Sequence, residues 1–501
     1  MSNTKVLFIS PNPAGMSLVP PTVGLFYSIF TANDIEMKYF DTTPYDTSNK
    51  YSDPVKFLER NLIVKKNDDK LKAKKVIKTK LYSEMLPDLK GVVNDLKPDV
   101  IMASATESTF LFTVDLLKSV REYKIPHVLG GVFATFAPNV ALSYDEIDMV
   151  CIGEGEKVIV PLSKSISSDK DLSSIPNIWI KQKDGAIRKN QLSPPVDINE
   201  NPPIDVSIFD DYRFYRTMGG NMYRLFPVET HRGCVHRCNF CNSPLQKDFY
   251  QEETGVAFFR KKAIKNVMVD IRNFIENYDA EYLHFWADDF FSYTNKEIDQ
   301  FCEEYKDIKL PFYAQSYPTD INEDKLKKLV DVGLERIGIG IEHGNEEFRA
   351  TVINRKYKNS NAINGIKLLK SYDIIVACNN ILGFPDETPE LHMDTVELNH
   401  IMQPHGASAS IFTPFYGTPL RELALKKGYL KDPNVIAPTN SEESILEMPQ
   451  FTKEQISGKS RTFNLYIKFP KTRWSEIQKA EALTPEGDRI WSDLKEEYAS
   501  L

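Results

Sequence analysis

The sequence predicts an α/β chain: a doubly wound, Rossmann-like parallel sheet, a connecting segment, a partial (β/α)6 barrel and a small, mostly helical C-terminal region. Three observations predict it. Short apolar runs alternate with helix-length amphipathic segments across residues 1–165; a Ser- and Pro-rich stretch interrupts them at 166–220; and the alternation resumes across 221–430, leaving 431–501 as an accessory region.

In the first part, Lys5 to Ser10 (KVLFIS) reads as a short buried strand, Val23 to Ala32 as a helix and Ile35 to Phe40 as a second strand. Further strands are expected at Asp99 to Ala103, Val128 to Leu129 and Asp148 to Ile152, with a helix from Phe110 to Tyr123. In such sheets ligands bind beyond the carboxyl ends of the strands, where Pro11 to Gly15, Ser104 to Ser108, Gly130-Gly131 and Gly153 to Glu156 fall. Residues 47–95 read as an insertion carrying the lysine-rich segment 64–80, best taken as a solvated helix face. The stretch 166–220 reads as a linker with a small hairpin around Ile178 to Ile187.

Six strands are expected in the second part: Phe226 to Thr230, Glu281 to Trp286, Phe312 to Gln315, Arg336 to Ile341, Ile374 to Ile381 and Ala409 to Phe412. Chemistry in a barrel of β-α units sits on the loops that follow the strands.

Composition narrows the function. The 501 residues carry a formal charge of -8, which argues against a surface built to neutralise nucleic-acid phosphates. The opening MSNTKVLFIS is too brief for a secretory leader, and no run of about 18 apolar residues predicts a transmembrane segment. Six cysteines, three of them between positions 234 and 241, suggest a metal site in a reducing cytoplasm rather than a disulfide framework. Cys151, Cys302 and Cys378 read as buried hydrophobes.

The chemistry concentrates in HRGCVHRCNFCNSP (His231 to Pro244), just after the first barrel strand. Thiolates hold iron-sulfur clusters, and a full set for a 4Fe-4S cubane is four. Cys234, Cys238 and Cys241 leave one iron open, to which the amino and carboxylate groups of S-adenosylmethionine can bind. A zinc ion with His231 or His236 as fourth ligand is the alternative.

Cys234-x-x-x-Cys238-x-Phe240-Cys241 resembles the signature of the radical S-adenosylmethionine (radical SAM) superfamily, including the aromatic residue before the last cysteine. WADDF (Trp286 to Phe290), GIGIEHG (Gly338 to Gly344), NRKY (Asn354 to Tyr357), ILGFPDET (Ile381 to Thr388) and YGTP (Tyr416 to Pro419) are similar to one branch of it, whose members carry an N-terminal cobalamin-binding domain. Pro20-Pro21-x-x-Gly24-Leu25, Pro98-Asp99-Val100, Gly130-Gly131 and Gly153-Glu154-Gly155-Glu156 resemble that domain in order and spacing. The loop Ser10 to Gly15 lacks the Asp-x-His-x-x-Gly histidine of many cobalamin proteins, which implies cobalamin without a protein imidazole on cobalt, or a domain that has lost the cofactor.

The resemblance implies a 4Fe-4S cluster on Cys234, Cys238 and Cys241, catalytic through it. It implies S-adenosylmethionine bound by Phe240, Asp288, Glu342, Arg355 and Gly383, and cobalamin bound by Asn12, Ser104, Thr106, Gly130, Gly131, Gly153 and Glu154. Each has an ordinary alternative: Asp288 and Asp289 as helix caps, Glu342 in an ion pair, Arg355 on the surface, Gly383 as a turn residue. Glu342 ends an apolar strand, where an unpaired carboxylate is costly to bury, and a guanidinium fork at Arg355 suits the methionyl carboxylate. His236 reads as a residue behind the cluster or exposed, and His284 as a core histidine.

The implied activity is cobalamin-dependent methylation of an unactivated carbon: cobalamin takes a methyl group from one S-adenosylmethionine, a 5'-deoxyadenosyl radical from another removes hydrogen, and methylcobalamin methylates the carbon. Cyclisation, ring contraction, other rearrangement or oxidation, and a cobalamin sensor without catalysis are the alternatives. A methylthiotransferase needs a second N-terminal cluster, which Cys151 alone cannot hold. The expected partners are a small-molecule or peptide substrate and a reductant such as flavodoxin or ferredoxin, without nucleic acid.

Overall fold

KVLFIS forms β1 (Lys5–Ser10), in which Val6 to Ile9 are buried on both faces. This computed structural model describes residues 4–13, 18–48, 50–51, 62, 80–437 and 443–500, so apart from Lys80 the lysine-rich segment 64–80 lies outside the described residues. β2 (Glu36–Asp41), β3 (Val100–Ser104), β4 (His127–Gly130) and β5 (Met149–Cys151) join β1 in a parallel sheet of order β2-β1-β3-β4-β5. The two-residue period of the strands sorts their side chains into two cores. Val6, Phe8, Val100 and Met102 pack with the helices at 21–31 and 159–167; Leu7, Ile9, Ile101 and Ala103 pack with those at 82–96 and 107–119. A parallel sheet covered on both faces needs such unbroken apolar strands.

Two readings of the intervening segments change. The helix Tyr82–Leu96, expected inside an insertion, buries Met85, Leu89, Val93 and Leu96 and is the crossover between β2 and β3. Its apolar residues recur every three or four positions, a helical face that neighbouring lysines obscured in the sequence. The hairpin β6 (Ile178–Lys181) and β7 (Ile187–Lys189), expected in a linker, extends the first sheet antiparallel to β5. β8 (Tyr215–Met218) joins the second sheet, antiparallel to β9 (Asn221–Glu229).

After the short antiparallel pair β10 (His231–Arg232) and β11 (Arg260–Lys261), the expected barrel strands follow: β12 (Tyr282–Trp286), β13 (Phe312–Ser316), β14 (Leu334–Glu342), β15 (Ile375–Leu382) and β16 (Gly406–Ile411). With β9 they form an open barrel of six parallel strands. Leu283, Phe285, Phe312, Ala314, Ile337, Ile339, Val376 and Cys378 face the outer helices, and Phe285, Phe290, Phe301 and Phe312 pack edge to face among them. Full burial of each such ring contributes about 1.5–3 kcal/mol. The alternate residues, His284, Trp286, Tyr313, Gln315, Gly338, Gly340 and Asn379, face the barrel interior.

The edge strand β16 is covered by the helix Lys453–Lys468: Asn464 Nδ2 donates to the Ala407 carbonyl (3.0 Å) and Ser460 Oγ to that of Ala409 (3.4 Å). Thr452 and Gln455 cap this helix reciprocally, a device that contributes about 1 kcal/mol. One hydrophobic core runs from Val6 and Phe8 through Phe226 and Val228 to Val376, so the two sheets share an interior.

Candidate active site

The cysteine loop lies between β10 and the helix Asn242–Thr254. Gly233 enters it at φ +89, a left-handed conformation that glycine adopts without steric cost. Asn239 fixes the middle: its N–H donates to the Ile353 carbonyl (3.0 Å) and its side-chain amide to that of Val352 (2.8 Å). Cys241 caps the helix, its Sγ accepting from the Ser243 N–H at 3.4 Å. Cys238 is buried and its Sγ accepts a hydrogen bond from Arg355 Nη1 at 3.2 Å.

Burial pushes the thiols of Cys234 and Cys241 up to about 12, with the nearby Asp288 carboxylate adding to the effect. Burial also raises Cys238, partly offset by Arg355. Such thiols ionise only against a strong local positive charge, as bound iron supplies. The donor set therefore suits a metal.

It does not suit one zinc ion. Two sulfurs on one zinc lie at most about 4.6 Å apart, twice the Zn–S bond. Among the described residues the set of metal-type ligand atoms within 4.8 Å of one another is His236, Asp289 and Asp320, and the three thiols form no such set. Neither candidate histidine faces them. His231 has Nδ1 against Thr230 Oγ1 (2.9 Å) and Nε2 against Ser292 Oγ (3.2 Å); His236 Nε2 points at Asp289 (3.4 Å) and Asp320 (3.2 Å). Burial opposes the His236 charge, yet those two carboxylates hold its imidazole above the ordinary value.

The residues expected around S-adenosylmethionine gather on this loop from distant elements. Asp288, exposed at the end of β12, accepts from Ser243 Oγ at 2.8 Å. Asp289 is buried, accepting from Ser316 Oγ (2.8 Å) and, as a cap, from the Phe291 N–H (3.2 Å). Glu342 ends β14 at a bulge with φ +66. A left-handed non-glycine residue stores about 1–3 kcal/mol of strain, which clusters at functional sites. Burial raises the Glu342 carboxyl while Arg355 opposes the shift. Gly340 leaves the room that Glu342 occupies, since a Cβ there would stand 2.5 Å from Glu342 Oε1. Phe240 packs against Phe384, with ring centroids 6.0 Å apart. Gly383 is left-handed (φ +80), and its N–H donates to Glu387 Oε2 at 2.5 Å; Ile456 fills the space a Cβ would take.

Arg355 is buried, not a surface residue. Its Nη2 donates to the Gly340 carbonyl, and Nε has no partner. His284, expected in the core, instead faces the barrel interior against Tyr313, with ring centroids 4.6 Å apart. Cys151 and Cys378 are buried as expected, Cys302 half-buried.

A cavity of about 610 Å³ opens beyond the first sheet, and all seven residues expected around cobalamin line it: Asn12, Ser104, Thr106, Gly130, Gly131, Gly153 and Glu154. Gly131 (φ +95) packs so closely that a Cβ would lie 2.6 Å from the Ala105 carbonyl oxygen. Asn12 Nδ2 is buried without a partner, leaving a donor for a guest. Among the described residues lining this cavity there is no histidine. These features fit a large polar cofactor held by backbone and short side chains.

The second domain supplies the opposite wall with Glu229, Arg232, Gln246, Phe258 and Trp286. Arg232 precedes the cysteine loop and Gln246 follows it, so the cavity abuts that loop. Of these, Trp286 opens the WADDF segment already noted in the sequence, as the last inward-facing residue of its strand; Glu229, Gln246 and Phe258 carry no such signal.

A model of the radical SAM superfamily matches residues 228–398, and one of the B12 binding domain matches residues 74–162. An uncharacterized methyltransferase of Pyrococcus horikoshii is 26% identical over 390 residues, spanning 76% of this chain and 81% of that protein. The anaerobic magnesium-protoporphyrin IX monomethyl ester cyclase of Cereibacter sphaeroides is 27% identical over 342 residues, spanning 66% of this chain and 53% of the cyclase. Two solved structures share the fold. The radical S-adenosylmethionine methyltransferase TsrM of Kitasatospora setae has a TM-score of 0.64 at 15% identity, covering 85% of this chain and 77% of its own. The cobalamin-dependent S-adenosylmethionine radical enzyme OxsB has a TM-score of 0.66 at 12% identity, covering 100% and 71%.

Proposed function

We propose that this chain, which belongs to the radical SAM enzymes that carry a cobalamin-binding domain, methylates an unactivated carbon of a small-molecule or peptide substrate. Its cofactors are a 4Fe-4S cluster, S-adenosylmethionine and cobalamin. When bound, they supply a 5'-deoxyadenosyl radical that removes hydrogen and a methyl group for the carbon so activated.

The single observation that carries the reading is the shared wall. The cavity assigned to cobalamin reaches Arg232, Gln246 and Trp286, so a substrate at the barrel mouth would lie close to both the cysteine loop and a cofactor held in that cavity. Cys234, Cys238 and Cys241 take the cluster irons. Phe240, Asp288, Glu342 and Gly383 would hold S-adenosylmethionine, and the unpartnered Arg355 Nε is a donor that would suit its carboxylate. Asn12, Ser104, Thr106, Gly130, Gly131, Gly153 and Glu154 hold cobalamin or support the loops that do. Phe8, Phe26 and Met102 give part of this cavity an apolar lining. A flavodoxin or ferredoxin supplies electrons. No helix among the described residues is long and apolar enough to cross a membrane.

A second reading, a cyclisation or other radical reaction without methyl transfer, draws on the likeness to the cyclases. An anaerobic assay separates the two. Protein reconstituted with iron, sulfide and hydroxocobalamin receives S-adenosylmethionine, a strong reductant and candidate substrates. Substrate-stimulated 5'-deoxyadenosine and S-adenosylhomocysteine in comparable amounts, lost in Cys238→Ala, are expected. Deoxyadenosine alone would replace methylation with the second reading.

A further inference from the structure

We infer that Arg355 is a positioning residue that raises the reduction potential of the iron-sulfur cluster by hydrogen-bonding the ligand sulfur of Cys238. The inference rests on the three cysteines being the cluster ligands and is independent of methyl transfer.

Arg355 and Cys238 lie 117 positions apart, yet Nη1 donates to Sγ at 3.2 Å. Arg355 is 6% exposed, and its other bonded terminal nitrogen donates to a neutral backbone carbonyl, that of Gly340. Among the described residues no carboxylate forms a salt bridge with it. Glu342 is near enough to attract the guanidinium but makes no bond to it, and a buried cation is costly unless it is paired at short range. The Cys238 sulfur, once ionised and bound to iron, is the anion that Arg355 touches.

The side chain is also held in place. The Tyr317 ring lies 4.1 Å from the guanidinium carbon and stacks on His236 at 3.8 Å, and His236 is anchored at Asp289 and Asp320. The Arg355 N–H donates to the Arg349 carbonyl at 2.9 Å. One ring thereby fixes the cysteine loop, through His236, and the donor to its middle sulfur. Hydrogen bonds to the sulfurs are among the determinants of cluster potential. Reduction adds negative charge, so a buried cation on a ligand sulfur favours the reduced state. A fork-shaped donor does this with fixed direction, which a lysine ammonium does not reproduce.

The test is an anaerobic redox titration of the full chain, reconstituted with cluster and cobalamin, reading the reduced cluster by EPR without S-adenosylmethionine. Wild type, Arg355→Gln and Arg355→Lys are compared at four irons per chain. At the wild-type midpoint the Gln variant is expected to hold about tenfold less reduced relative to oxidised cluster, a shift of about 59 mV to lower potential for one electron. The Lys variant falls between. An unmoved midpoint in Arg355→Gln overturns the inference, even if S-adenosylmethionine binds more weakly, since a contact with its carboxylate alone leaves this titration unchanged. Should Arg355→Gln fail to hold iron, Tyr317→Leu decides: a smaller shift in the same direction supports the inference and none overturns it. A Cys238→Ala variant that holds its cluster as well as wild type would overturn the ligand assignment, and the inference with it.

Discussion

Glu154, in the loop after β5, and Arg260, on β11, meet in a two-pronged salt bridge between the domains: Nη1 to Oε2 at 2.8 Å and Nη2 to Oε1 at 2.7 Å. Arg232 adds a contact to Glu154 Oε1 (2.8 Å) and reaches Glu156 (2.5 Å) and Glu229 (3.0 Å). The network lies directly before the cysteine loop, so the docking of the first domain and the position of that loop are one mechanical problem.

Glu154→Gln is therefore expected to destabilise the docked state, since losing a charged hydrogen-bond partner in a partly buried network costs about 1–3 kcal/mol. The first transition in urea unfolding should move to lower concentration, with faster proteolysis between residues 166 and 220. Burial opposes the Glu154 charge, but Arg260 and Arg232 hold its carboxyl below the ordinary value. Its contribution is thus full above the unfolded carboxyl value of about 4.3 and is lost as pH falls through the lower folded one. An unchanged urea midpoint at neutral pH would show that the bridge does not hold the domains.

Gly131→Ala should weaken cobalamin binding without loss of iron. The new methyl would be forced against the Ala105 carbonyl at a φ of +95, and strain of about 1–3 kcal/mol corresponds to roughly fivefold to a hundredfold in affinity. Absorbance of hydroxocobalamin retained after desalting reads it; retention equal to wild type would place the corrin elsewhere.

Replacing Cys234, Cys238 or Cys241 singly by alanine should abolish the 4Fe-4S absorbance and S-adenosylmethionine cleavage, whereas Cys302→Ser, at a half-buried helical position, should retain both. Iron and sulfide assays on reconstituted protein check this. Full iron content in any of the three alanine variants would remove that cysteine from the ligand set.

His284 should make the fold sensitive to mild acid. Burial pushes its imidazole down to about 4, so the folded state resists a proton that the unfolded chain accepts near 6.5. Stability from the neutral ring is present above that value and falls as pH drops toward 4, with a slope of up to about 1.4 kcal/mol per pH unit. Urea midpoints of wild type and His284→Gln across this window should converge as pH falls; parallel curves would mean that the ring is already charged or solvated.

The sequence by itself determined the features governed by local spacing. Short apolar runs specified the strands from KVLFIS to GIGIE, and the positions of Cys234, Cys238 and Cys241 pointed to the proposed ligand set. Spacing is covalent, and the pattern of burial follows from it. The lysines before Tyr82 mask the apolar face of a crossover helix, whose signal lies in its period and not in its composition.

Tertiary structure alone decided which groups face one another. Glu154 and Arg260 are 106 residues apart, and Cys238 and Arg355 are 117 apart. Whether such pairs meet depends on the register of parallel strands and on how two sheets share a core, which no local window of sequence contains. The strained φ of Glu342, the inward aim of His284 and the shared wall at Trp286 arise in the same way. Each follows from where a strand ends relative to its neighbours, and that is fixed by packing across the whole fold.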